Sequence, residues 1–416
     1  MKIAVIGAGI IGVTTAYELA CDGHDITVFE RRGAAAEETS FANAGIVAPG
    51  YVTPWAAPGM PTKVLSHLLS RHAPVKIGLP LSASDLAWMW KWYRACRLDT
   101  YLANRARMQR LAFYSRERLH QITSDLQLEY DRSDGYLVLL RAERDSRLVQ
   151  PGLQVLRETG VTFRELNADE TRKIEPALNP DTPFYGSVHL PQDEVGNCRQ
   201  FALLLKNEAQ RTGVTFLFNT TVHSVQHHSG IGLHIGDEPN PRSYDAVVMC
   251  AGLASARLLQ PLGMKIPMAA VYGYSLSAAV REPLNAPRSA VMDERYKVAV
   301  ARLGNRIRVA GSAELGGHID RKRASSIQTL YKVLHDWFPG AASKVNGVQE
   351  WKGARPMLPD GPPVIGPSGI PGLWLNLGHG SSGWALSCGS ARALADLVGG
   401  KAPALDFDGF DVGRLR

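Results

Sequence analysis

Close to its amino terminus the chain reads Lys2-Ile-Ala-Val-Ile-Gly7-Ala-Gly9-Ile-Ile-Gly12, and this stretch decides the fold of the region around it. Lys2–Ile6 is a short apolar run that is typical of a buried strand. The glycines predict a turn, and Val13–Cys21 predicts a helix. Because Asp25–Glu30 then predicts a second strand, the whole segment indicates a β-α-β unit.

The three glycines have the spacing that dinucleotide binding requires. Gly7 permits a tight turn, Gly9 lets the backbone approach a pyrophosphate, and Gly12 lets the helix pack closely on the strand. The helix N-terminus then directs its partial positive charge at the phosphates. Glu30 ends the second strand, where an acid can bind a ribose 2′-hydroxyl, which argues against NADP. We therefore predict a dinucleotide-binding site. The alternative is a glycine-rich turn that serves only the packing of helix on strand.

Three later segments favour FAD over NAD. Thr39–Gly45 offers hydroxyls and small residues, Val247–Gly252 is a buried run that ends in a glycine turn, and Gly378–Gly383 opens a helix. The dipole of that last helix can face the edge of a flavin where charge builds on reduction. Each segment alone also fits an ordinary loop or core. The residues expected to contact FAD are Gly7, Gly9, Ile10, Ile11, Gly12, Glu30, Arg31, Thr39, Ser40, Asn43, Ala44, Gly45, Val222, Ala251, Gly252, Gly378, Gly380, Ser381, Ser382 and Gly383.

The composition is that of a soluble globular protein, with 416 residues, 45% of them hydrophobic and 20% charged. The net charge of +7 favours anionic cofactors but is too small to imply nucleic acid. The five cysteines are spread out and contain no CxxC pair, which argues against a zinc or iron–sulfur site and fits a reducing compartment. No metal is predicted.

No membrane-spanning segment is expected. Glycines interrupt the uncharged run Ile3–Tyr17, which fits a strand and helix better than a signal peptide, and the run is shorter than the ~20 residues that a spanning helix needs. The uncharged run Thr39–Thr62 contains four prolines, so we expect an ordered loop there.

The remaining elements predict a second architecture. Strand-like runs between Ala269 and Ala313 indicate an antiparallel sheet. Arg147–Gly160 predicts a helix followed by a strand over Val161–Phe163. The predicted fold class is α/β plus α+β, a Rossmann-type FAD-binding domain joined to a substrate domain built on an antiparallel sheet. The expected FAD-binding domain takes residues 1–50, 146–265 and 346–416, and the expected substrate-binding or cap domain takes residues 51–145 and 266–345.

Over nearly its whole length the chain resembles the D-amino acid dehydrogenase small-subunit family. That family lies within the flavin amine oxidases, which include D-amino acid, glycine and sarcosine oxidases. The motifs that carry the resemblance are Thr39–Gly45 with Pro49-Gly50-Tyr51 and Pro54–Gly59, Trp88-Met89-Trp90, Leu190–Glu194, Gly273–Leu276, Asp293-Glu294 with Tyr296-Lys297, Asn305–Val309, Arg355-Pro356-Met357 with Pro359-Asp360-Gly361, and Leu373–Asn376 with the His379 turn.

The resemblance implies FAD-dependent conversion of D-amino acids, such as D-alanine, to 2-oxo acids and ammonium by hydride transfer to flavin N5. The electrons would pass to an acceptor other than oxygen, such as a quinone. Two departures, Ala354 and Ser381-Ser382, leave substrate preference open. An oxygen-using oxidase of glycine, sarcosine or D-proline is one alternative, and a non-catalytic FAD-binding subunit of a larger complex is another.

Three residues are candidates for the reaction itself. Arg355 resembles the arginine that binds the substrate carboxylate in glycine-oxidase-like relatives, and a guanidinium can hold a carboxylate with two parallel bonds. Tyr296 resembles a tyrosine that contacts the same carboxylate, or else packs in the sheet. His379 can serve as a base, although its glycine neighbours suggest a backbone turn beside the flavin. No cysteine lies in Gly353–Leu358, where some relatives attach the flavin, so we expect non-covalent FAD.

The segment Asp85–His120 predicts a contact with the membrane surface. It holds eight basic and three acidic residues, with Trp88, Trp90, Trp92 and Tyr93 at its start. Tryptophan with arginine is typical of an interfacial helix. Trp88 and Trp90 cannot share one helix face, so some rings are expected to be buried. We expect a cytoplasmic protein that docks on the inner membrane face and passes electrons to quinone.

Overall fold

Two large sheets organise the computed structural model, which describes residues 1–67, 70–227, 230–343 and 347–415. The strands are β1 (Lys2–Ile6), β2 (Asp25–Phe29), β3 (Ile46–Val47), β4 (Val75–Gly78), β5 (Ser133–Leu140), β6 (Arg164–Asn167), β7 (Gly186–Val195), β8 (Thr215–Leu217), β9 (Val222–His227), β10 (Ile231–Ile235), β11 (Arg242–Tyr244), β12 (Ala246–Met249), β13 (Ala269–Ala279), β14 (Ala290–Asp293), β15 (Val298–Leu303), β16 (Arg306–Gly316), β17 (Gln349–Met357), β18 (Val364–Pro367) and β19 (Leu373–Leu377).

Ten α-helices connect these strands within the described residues. They are α1 (Ile10–Cys21), α2 (Met60–His67), α3 (Ala83–Ala95), α4 (Leu98–Asp125), α5 (Glu143–Glu158), α6 (Ala168–Ile174), α7 (Cys198–Arg211), α8 (Ala254–Leu259), α9 (Ala324–Trp337) and α10 (Gly383–Val398).

The first sheet has the order β18-β19-β12-β1-β2-β8, with β18 alone antiparallel to its neighbour. Its strands are buried on both faces, and alternate residues therefore serve two cores. Ile3 and Val5 pack against α1, α7 and α10, whereas Ala4 and Ile6 pack against the small antiparallel sheet of β9, β10 and β11. This arrangement confirms the predicted Rossmann-type half of the fold.

The second sheet follows the order β17-β13-β16-β15-β14-β5-β7-β3, with β4 and β6 added at its sides. Most pairs are antiparallel, and the predicted antiparallel region from Ala269 to Ala313 forms its centre. One face packs on α9 through a core that includes Leu276, Val309 and Leu330. The other face carries Trp351 and Arg308, which contact Phe41 and the Asn43 carbonyl in the loop after β2, so a site can form where this face meets the loop.

A buried carboxylate ties three helices together behind the first sheet. Glu18 of α1 is fully buried and accepts two bonds from Arg118 of α4, at 2.6 and 2.9 Å. Arg392 of α10 donates to the same carboxylate at 2.9 Å. Two guanidinium groups thus share one buried carboxylate, and removing both would leave its charge unpaired, which costs about 3–5 kcal/mol. We refer to Glu18, Arg118 and Arg392 as the Glu18 cluster.

The second sheet draws its strands from both of the expected domains. β3, β6, β7 and β17 lie in ranges expected for the FAD-binding domain, and the other strands of this sheet lie in ranges expected for the substrate domain. Leu111 and Ile122 of α4, in a range expected for the substrate domain, pack into the core of α1 and α10. Long-range pairing, and not chain order, sets these partners, and the division into domains stays a prediction. The expected boundary at residue 346 lies outside the described residues.

Two local predictions also differ. Val161–Phe163 forms no strand, and β6 begins three residues later at Arg164 because only there does the chain pair with β7. The helix predicted over Arg147–Gly160 begins earlier, at Glu143, where the Asp145 carboxylate accepts the Ala142 N–H. Among the described helices, none is long and apolar enough to cross a bilayer.

Candidate active site

The turn after β1 leaves the N-terminus of α1 open. Gly7 has φ of +100°, and a Cβ there would lie 2.7 Å from the carbonyl oxygen of Cys250. A Cβ on Gly12 would collide with the Gly7 carbonyl, so Gly12 sets the close packing of helix on strand. Gly9 is different, because only the Ser40 hydroxyl, at 3.5 Å, lies near its Cβ position. Gly9 therefore leaves an open approach to the first N–H groups of α1, which is what a pyrophosphate requires.

Glu30 lies directly after β2, beside this turn. Its Oε2 accepts the Ala8 N–H at 2.8 Å, and its Oε1 accepts the Arg32 N–H at 2.8 Å. Two backbone donors fix the carboxylate, and each oxygen retains a free lone pair. Glu30 can thus accept bonds from ribose hydroxyls. Arg31 points to the surface and forms a two-bond ion pair with Glu38.

The loop Thr39–Gly45 connects the phosphate turn to the second sheet. The Ser40 hydroxyl accepts the Ile10 N–H at 3.1 Å, and the Thr39 hydroxyl donates to the Ala354 carbonyl at 2.7 Å. Asn43 Oδ1 accepts the Gly45 N–H at 3.0 Å, which closes the loop beside Ala44. The loop therefore carries the expected cofactor residues from one sheet to the other.

Arg308 of β16 holds this loop from the second sheet, a contact that the sequence reading missed. It donates to the Asn43 carbonyl at 2.8 Å and to the Ser277 hydroxyl at 2.6 Å. Burial lowers the pKa of the Arg308 guanidinium to about 10, which still leaves it charged at neutral pH. A sequence signal existed in the Asn305–Val309 motif, but the partner on the loop is 265 residues away.

The other predicted cofactor segments lie at the ends of neighbouring strands. Ala251 and Gly252 follow β12, whose neighbour is β1, so they reach the same edge of the sheet as Gly7. Val222 is buried at the start of β9 and pairs with Ile235.

The turn Gly378–Gly383 follows β19 and leads into α10. A Cβ on Gly380 would lie 2.6 Å from the sulfur of Met357, and one on Gly378 would collide with Leu358. Ser382 precedes α10 and makes no side-chain cap, while Ser381 is exposed. The first N–H groups of α10 therefore have no side-chain acceptor, and their dipole can stabilise negative charge on a ring placed there.

Arg355 lies on β17, on the face of the second sheet that carries Trp351 and Arg308. Its guanidinium lies over Gly273, where a Cβ would collide with it, and Nη1 donates to the Ser312 carbonyl at 3.1 Å. Within the part of the chain that the structure describes, no acidic side chain pairs with it. Burial lowers the pKa of Arg355 to about 10. A partly buried guanidinium without an acidic partner could bind the carboxylate of a ligand.

Aromatic rings line the same face. Trp351 lies two residues before Gly353, and its ring covers Gly353 so closely that a Cβ there would collide with it. The rings of Trp351 and Phe41 are 6.4 Å apart, and Trp55 lies 6.0 Å from the Arg355 guanidinium. The sequence reading missed Trp351 and Trp55, although the alternation Trp351-Gly353-Arg355 has the period of one strand face.

Two serine hydroxyls on neighbouring strands have no partner among the described residues. Ser275 pairs with Trp351 across β13 and β17, and Ser312 provides the carbonyl that Arg355 binds. Both hydroxyls are buried and unbonded. Because a buried hydroxyl without a partner is costly, these groups are available to a polar ligand beside Arg355.

Tyr296 does not lie with Arg355. It stands in the turn between β14 and β15, 5.0 Å from the Arg141 guanidinium and 6.1 Å from the His72 ring. Its ring packs on the core that α9 forms with the sheet, which is the opposite face from Arg355. These contacts favour the alternative reading, a sheet tyrosine packed in the core.

His379 is buried in the turn before α10, where only 3% of it is exposed. Its Nε2 is 3.1 Å from the Ser390 hydroxyl, and its backbone pairs with Met357. Burial lowers the pKa of His379 to about 3, so the imidazole is neutral. This environment favours a role in shaping the turn over a role as a base.

The candidate site thus combines a dinucleotide-binding turn with the Arg355 side chain, and the chain is similar to known proteins. The model of the family described as FAD dependent oxidoreductase matches residues 2–397, and this protein belongs to that family. FAD is therefore its cofactor. The α1 turn, Glu30, the Thr39–Gly45 loop and the start of α10 are the parts of the chain that could hold it.

Two similar relatives have names that state a more specific activity than the family description does. The D-amino acid dehydrogenase of Bradyrhizobium diazoefficiens is 43% identical, over 100% of this chain and 99% of that protein. The D-amino acid dehydrogenase of Rhizobium johnstonii is 41% identical, over 98% of each. These relatives bear out the resemblance to the dehydrogenase family.

Solved structures confirm the fold at lower identity. Glycine oxidase from Geobacillus kaustophilus superposes with a TM-score of 0.74 at 22% identity, covering 99% of this chain and 98% of that one. L-Proline dehydrogenase from P. horikoshii gives 0.75 at 17% identity, with 99% and 97% covered. This likeness supports a flavoenzyme fold with two joined sheets.

Proposed function

We propose that this protein is a dehydrogenase that oxidises D-amino acids to 2-oxo acids and ammonium. The observation that carries the proposal is Arg355, a partly buried cation with no acidic partner among the described residues, on the sheet face that looks toward the cofactor cradle. The names of the relatives at 41–43% identity support the D-amino acid as substrate.

Bound FAD would supply the oxidant, taking up the α-hydrogen with the electron pair of the C–H bond. The chain has to bind and orient the substrate. Arg355 binds the α-carboxylate with two parallel bonds and so fixes the α-carbon relative to the cofactor site. The substrate ammonium group first loses a proton to solvent, and loss of the hydride then leaves a protonated imine. Addition of water to this imine releases the 2-oxo acid and ammonium.

The rest of the pocket controls solvent and side-chain size. Trp351 and Trp55 place apolar rings beside Arg355 and exclude water from the reacting carbon. The Ser275 and Ser312 hydroxyls are positioned to bond polar groups of the substrate. The α10 N-terminus favours negative charge on the reduced ring. Apolar walls around one cationic anchor favour small and apolar D-amino acids.

The test is reduction of the bound cofactor, followed at its visible absorbance band under anaerobic conditions. D-Alanine should bleach the band and L-alanine should not. If neither alanine nor any other D-amino acid reduces the flavin, the alternative of a non-catalytic FAD-binding subunit is supported instead.

The electron acceptor is proposed to be a quinone or another respiratory-chain carrier. The support is the word dehydrogenase in the names of the relatives. Turnover should therefore proceed with a quinone analogue and yield little peroxide in air. Stoichiometric peroxide would instead support an oxygen-using oxidase of the glycine, sarcosine or D-proline type.

FAD is proposed to be bound without a covalent bond. β17 and the turn after it contain no cysteine. Acid precipitation should release the yellow colour into the supernatant, and colour that stays with the precipitated protein would contradict this assignment.

We further propose that the protein works on the inner face of the cytoplasmic membrane, where quinone is available. The basic segment Asp85–His120 forms α3 and α4. Most of the basic side chains on α4 bond other groups of the protein. Arg105 is buried, Arg107 pairs with Asp408, Arg110 with Asp406, Arg116 with Asp193, and Arg118 with Glu18. The electrostatic attraction to lipid is thus smaller than the charge count suggests, and any membrane contact has to rest mainly on α3.

A further inference from the structure

Exposed apolar side chains are concentrated in one short stretch of the chain. Twelve large hydrophobic residues are exposed among the described residues, and six of them fall between residues 79 and 102. The stretch runs from the loop before α3 to the first turn of α4. The six are Leu79, Leu86, Trp90, Tyr93, Leu98 and Leu102, which we call the α3 patch.

The centre of the α3 patch is a single stripe on one helix. Leu86, Trp90 and Tyr93 follow the i, i+4, i+7 spacing of a helix face. Trp90 is 62% exposed and Tyr93 is 56% exposed, and their rings stack with centroids 5.9 Å apart. A helix packs on the rest of its protein through one apolar face. The exposed apolar stripe on α3 is a second face, and it makes no part of that packing.

The first apolar face of α3 is already in use. Trp88 is buried, and its Nε1 donates to the Met357 carbonyl at 2.9 Å. Trp88 packs in a cluster with Val271 and Met357, and Trp55 borders the same cluster. Trp55 is also the ring beside Arg355. The inward face of α3 thus packs against the cluster that Trp55 joins to Arg355, and the α3 patch lies on the exposed face.

The charges around the stripe are mainly positive. Lys91, Arg94 and Arg97 are exposed on or directly after α3. Two acids lie nearby: Asp85 caps the helix through Ser82, and Asp99 lies 3.6 Å from Arg97 and offsets its charge, so Lys91 and Arg94 are the cations that flank the stripe itself. Tryptophan and tyrosine rings with flanking cations are the composition of a helix that lies in the headgroup layer of an anionic bilayer.

We propose that the α3 patch is the surface by which the protein binds an anionic lipid bilayer, with α3 lying flat in the headgroup layer. This inference rests on the proposed function, because a quinone dissolved in the bilayer is the acceptor that such docking would serve. One helix then has a lipid-facing side and a pocket-facing side. An apolar acceptor reaches the pocket along α3 without crossing bulk water.

The test compares two double variants of the FAD-loaded protein. Trp90→Gln with Tyr93→Gln removes the centre of the α3 patch, and Tyr185→Gln with Leu284→Gln removes two exposed apolar residues elsewhere. Co-sedimentation uses vesicles of phosphatidylethanolamine and phosphatidylglycerol, with vesicles of phosphatidylcholine alone for the charge contribution. We expect the first variant to bind the anionic vesicles at least about tenfold more weakly. The second variant should bind as the unchanged protein does.

Three outcomes overturn the proposal. One is equal vesicle binding by both variants, and another is an unchanged protein that stays in the supernatant with anionic vesicles at low salt. The third is a self-associating unchanged protein that the first variant converts to monomer without any change in vesicle binding, which would make the patch an interface between copies.

Reduction of the flavin by D-alanine is measured in each variant as a separate readout. It should be unchanged, because the two exposed rings do not line the pocket. Failure of D-alanine to reduce even the unchanged protein would refute the proposed function while leaving the vesicle result intact.

Discussion

Arg355 is the residue on which the proposed substrate site depends. Among the described residues its guanidinium has one backbone acceptor and no acidic partner, and burial lowers its pKa to about 10. A buried charge without a counter-ion costs free energy until an anion binds. We therefore expect the substrate carboxylate to bind where the protein leaves this charge uncompensated.

Replacing Arg355 with Lys tests this residue. Lysine keeps the charge but cannot form two parallel bonds to a carboxylate, so KM for D-alanine should rise at least about tenfold, or ~1.4 kcal/mol. Steady-state kinetics with a soluble dye measure it. Arg257→Lys, at an exposed position on α8, is the matched control. Unchanged kinetics in Arg355→Lys would remove this residue from the pocket.

His379 should make folding sensitive to acid. Its pKa is about 3 in the folded chain and near 6.5 in the unfolded chain, so the unfolded chain binds the proton between these values. The free energy of unfolding is therefore full above about pH 6.5 and falls as the pH drops, by at most about 1.4 kcal/mol per pH unit. Urea unfolding of the unchanged protein and of His379→Asn, near neutral pH and in mild acid, measures the difference.

The substitution removes this one titrating group, so His379→Asn should lose less stability in acid. Its pH–rate profile should match that of the unchanged protein, because the imidazole is neutral across the working range. A changed profile with intact folding would restore the base hypothesis.

At the scale of elements, the unit β1-α1-β2 was predictable because its determinants are local. The glycine spacing, the apolar strand and Glu30 all act within one short segment, and β1 matches its predicted bounds. Strand faces in the second sheet were not predictable. The bulge between Tyr272 and Tyr274 and the pairing of β13 with β17 decide which residues share a face. Because the sequence shows neither the bulge nor this pairing, it could not show that Tyr296 and Arg355 lie on opposite faces. It also could not show that Trp351 lies on the same face as Arg355.

The partners of the charged residues on the long helix α4 could not be predicted from the sequence either. Its arginines read as a basic surface in the sequence because their acidic partners lie far away along the chain. Arg118 meets Glu18 of α1, and Arg107 meets Asp408 near the other end. Only the folded arrangement shows that these charges stabilise the protein and are not offered to a partner.

Two glycines of the phosphate turn should respond differently to alanine. Gly12→Ala forces a Cβ into the Gly7 carbonyl, so we expect overpacking that lowers the free energy of unfolding by about 1–3 kcal/mol or more. Gly9→Ala meets only the Ser40 hydroxyl at 3.5 Å and should fold normally, yet lose FAD affinity. Denaturant unfolding of the apoprotein and fluorescence titration with FAD separate the two effects. Equal destabilisation by both substitutions would contradict this assignment.

The whole molecule depends on its cofactor because the site lies between the two sheets. Residues from β1, β2, the Thr39–Gly45 loop and α10 meet there, so FAD binds only when these distant parts are in place. A ligand present at a thousand times its Kd stabilises the folded state by about 4 kcal/mol. Thermal unfolding should therefore occur at a clearly higher temperature with excess FAD than after its removal. A melting temperature independent of FAD would show that the site is not formed by these elements.

The Glu18 cluster has a consequence for how a partial cofactor would behave. α1 carries the phosphate turn and α10 carries the ring end of the site, and one buried carboxylate fastens both helices to α4. Neither helix can shift alone without breaking an ion pair in the interior. AMP, which fills only the adenosine half of the site, should hold α1 and, through the cluster, α10 in the arrangement that the ring end needs, so riboflavin phosphate added afterwards should bind more tightly than it does alone. Through Glu18, the two halves of the cofactor become cooperative ligands of one another.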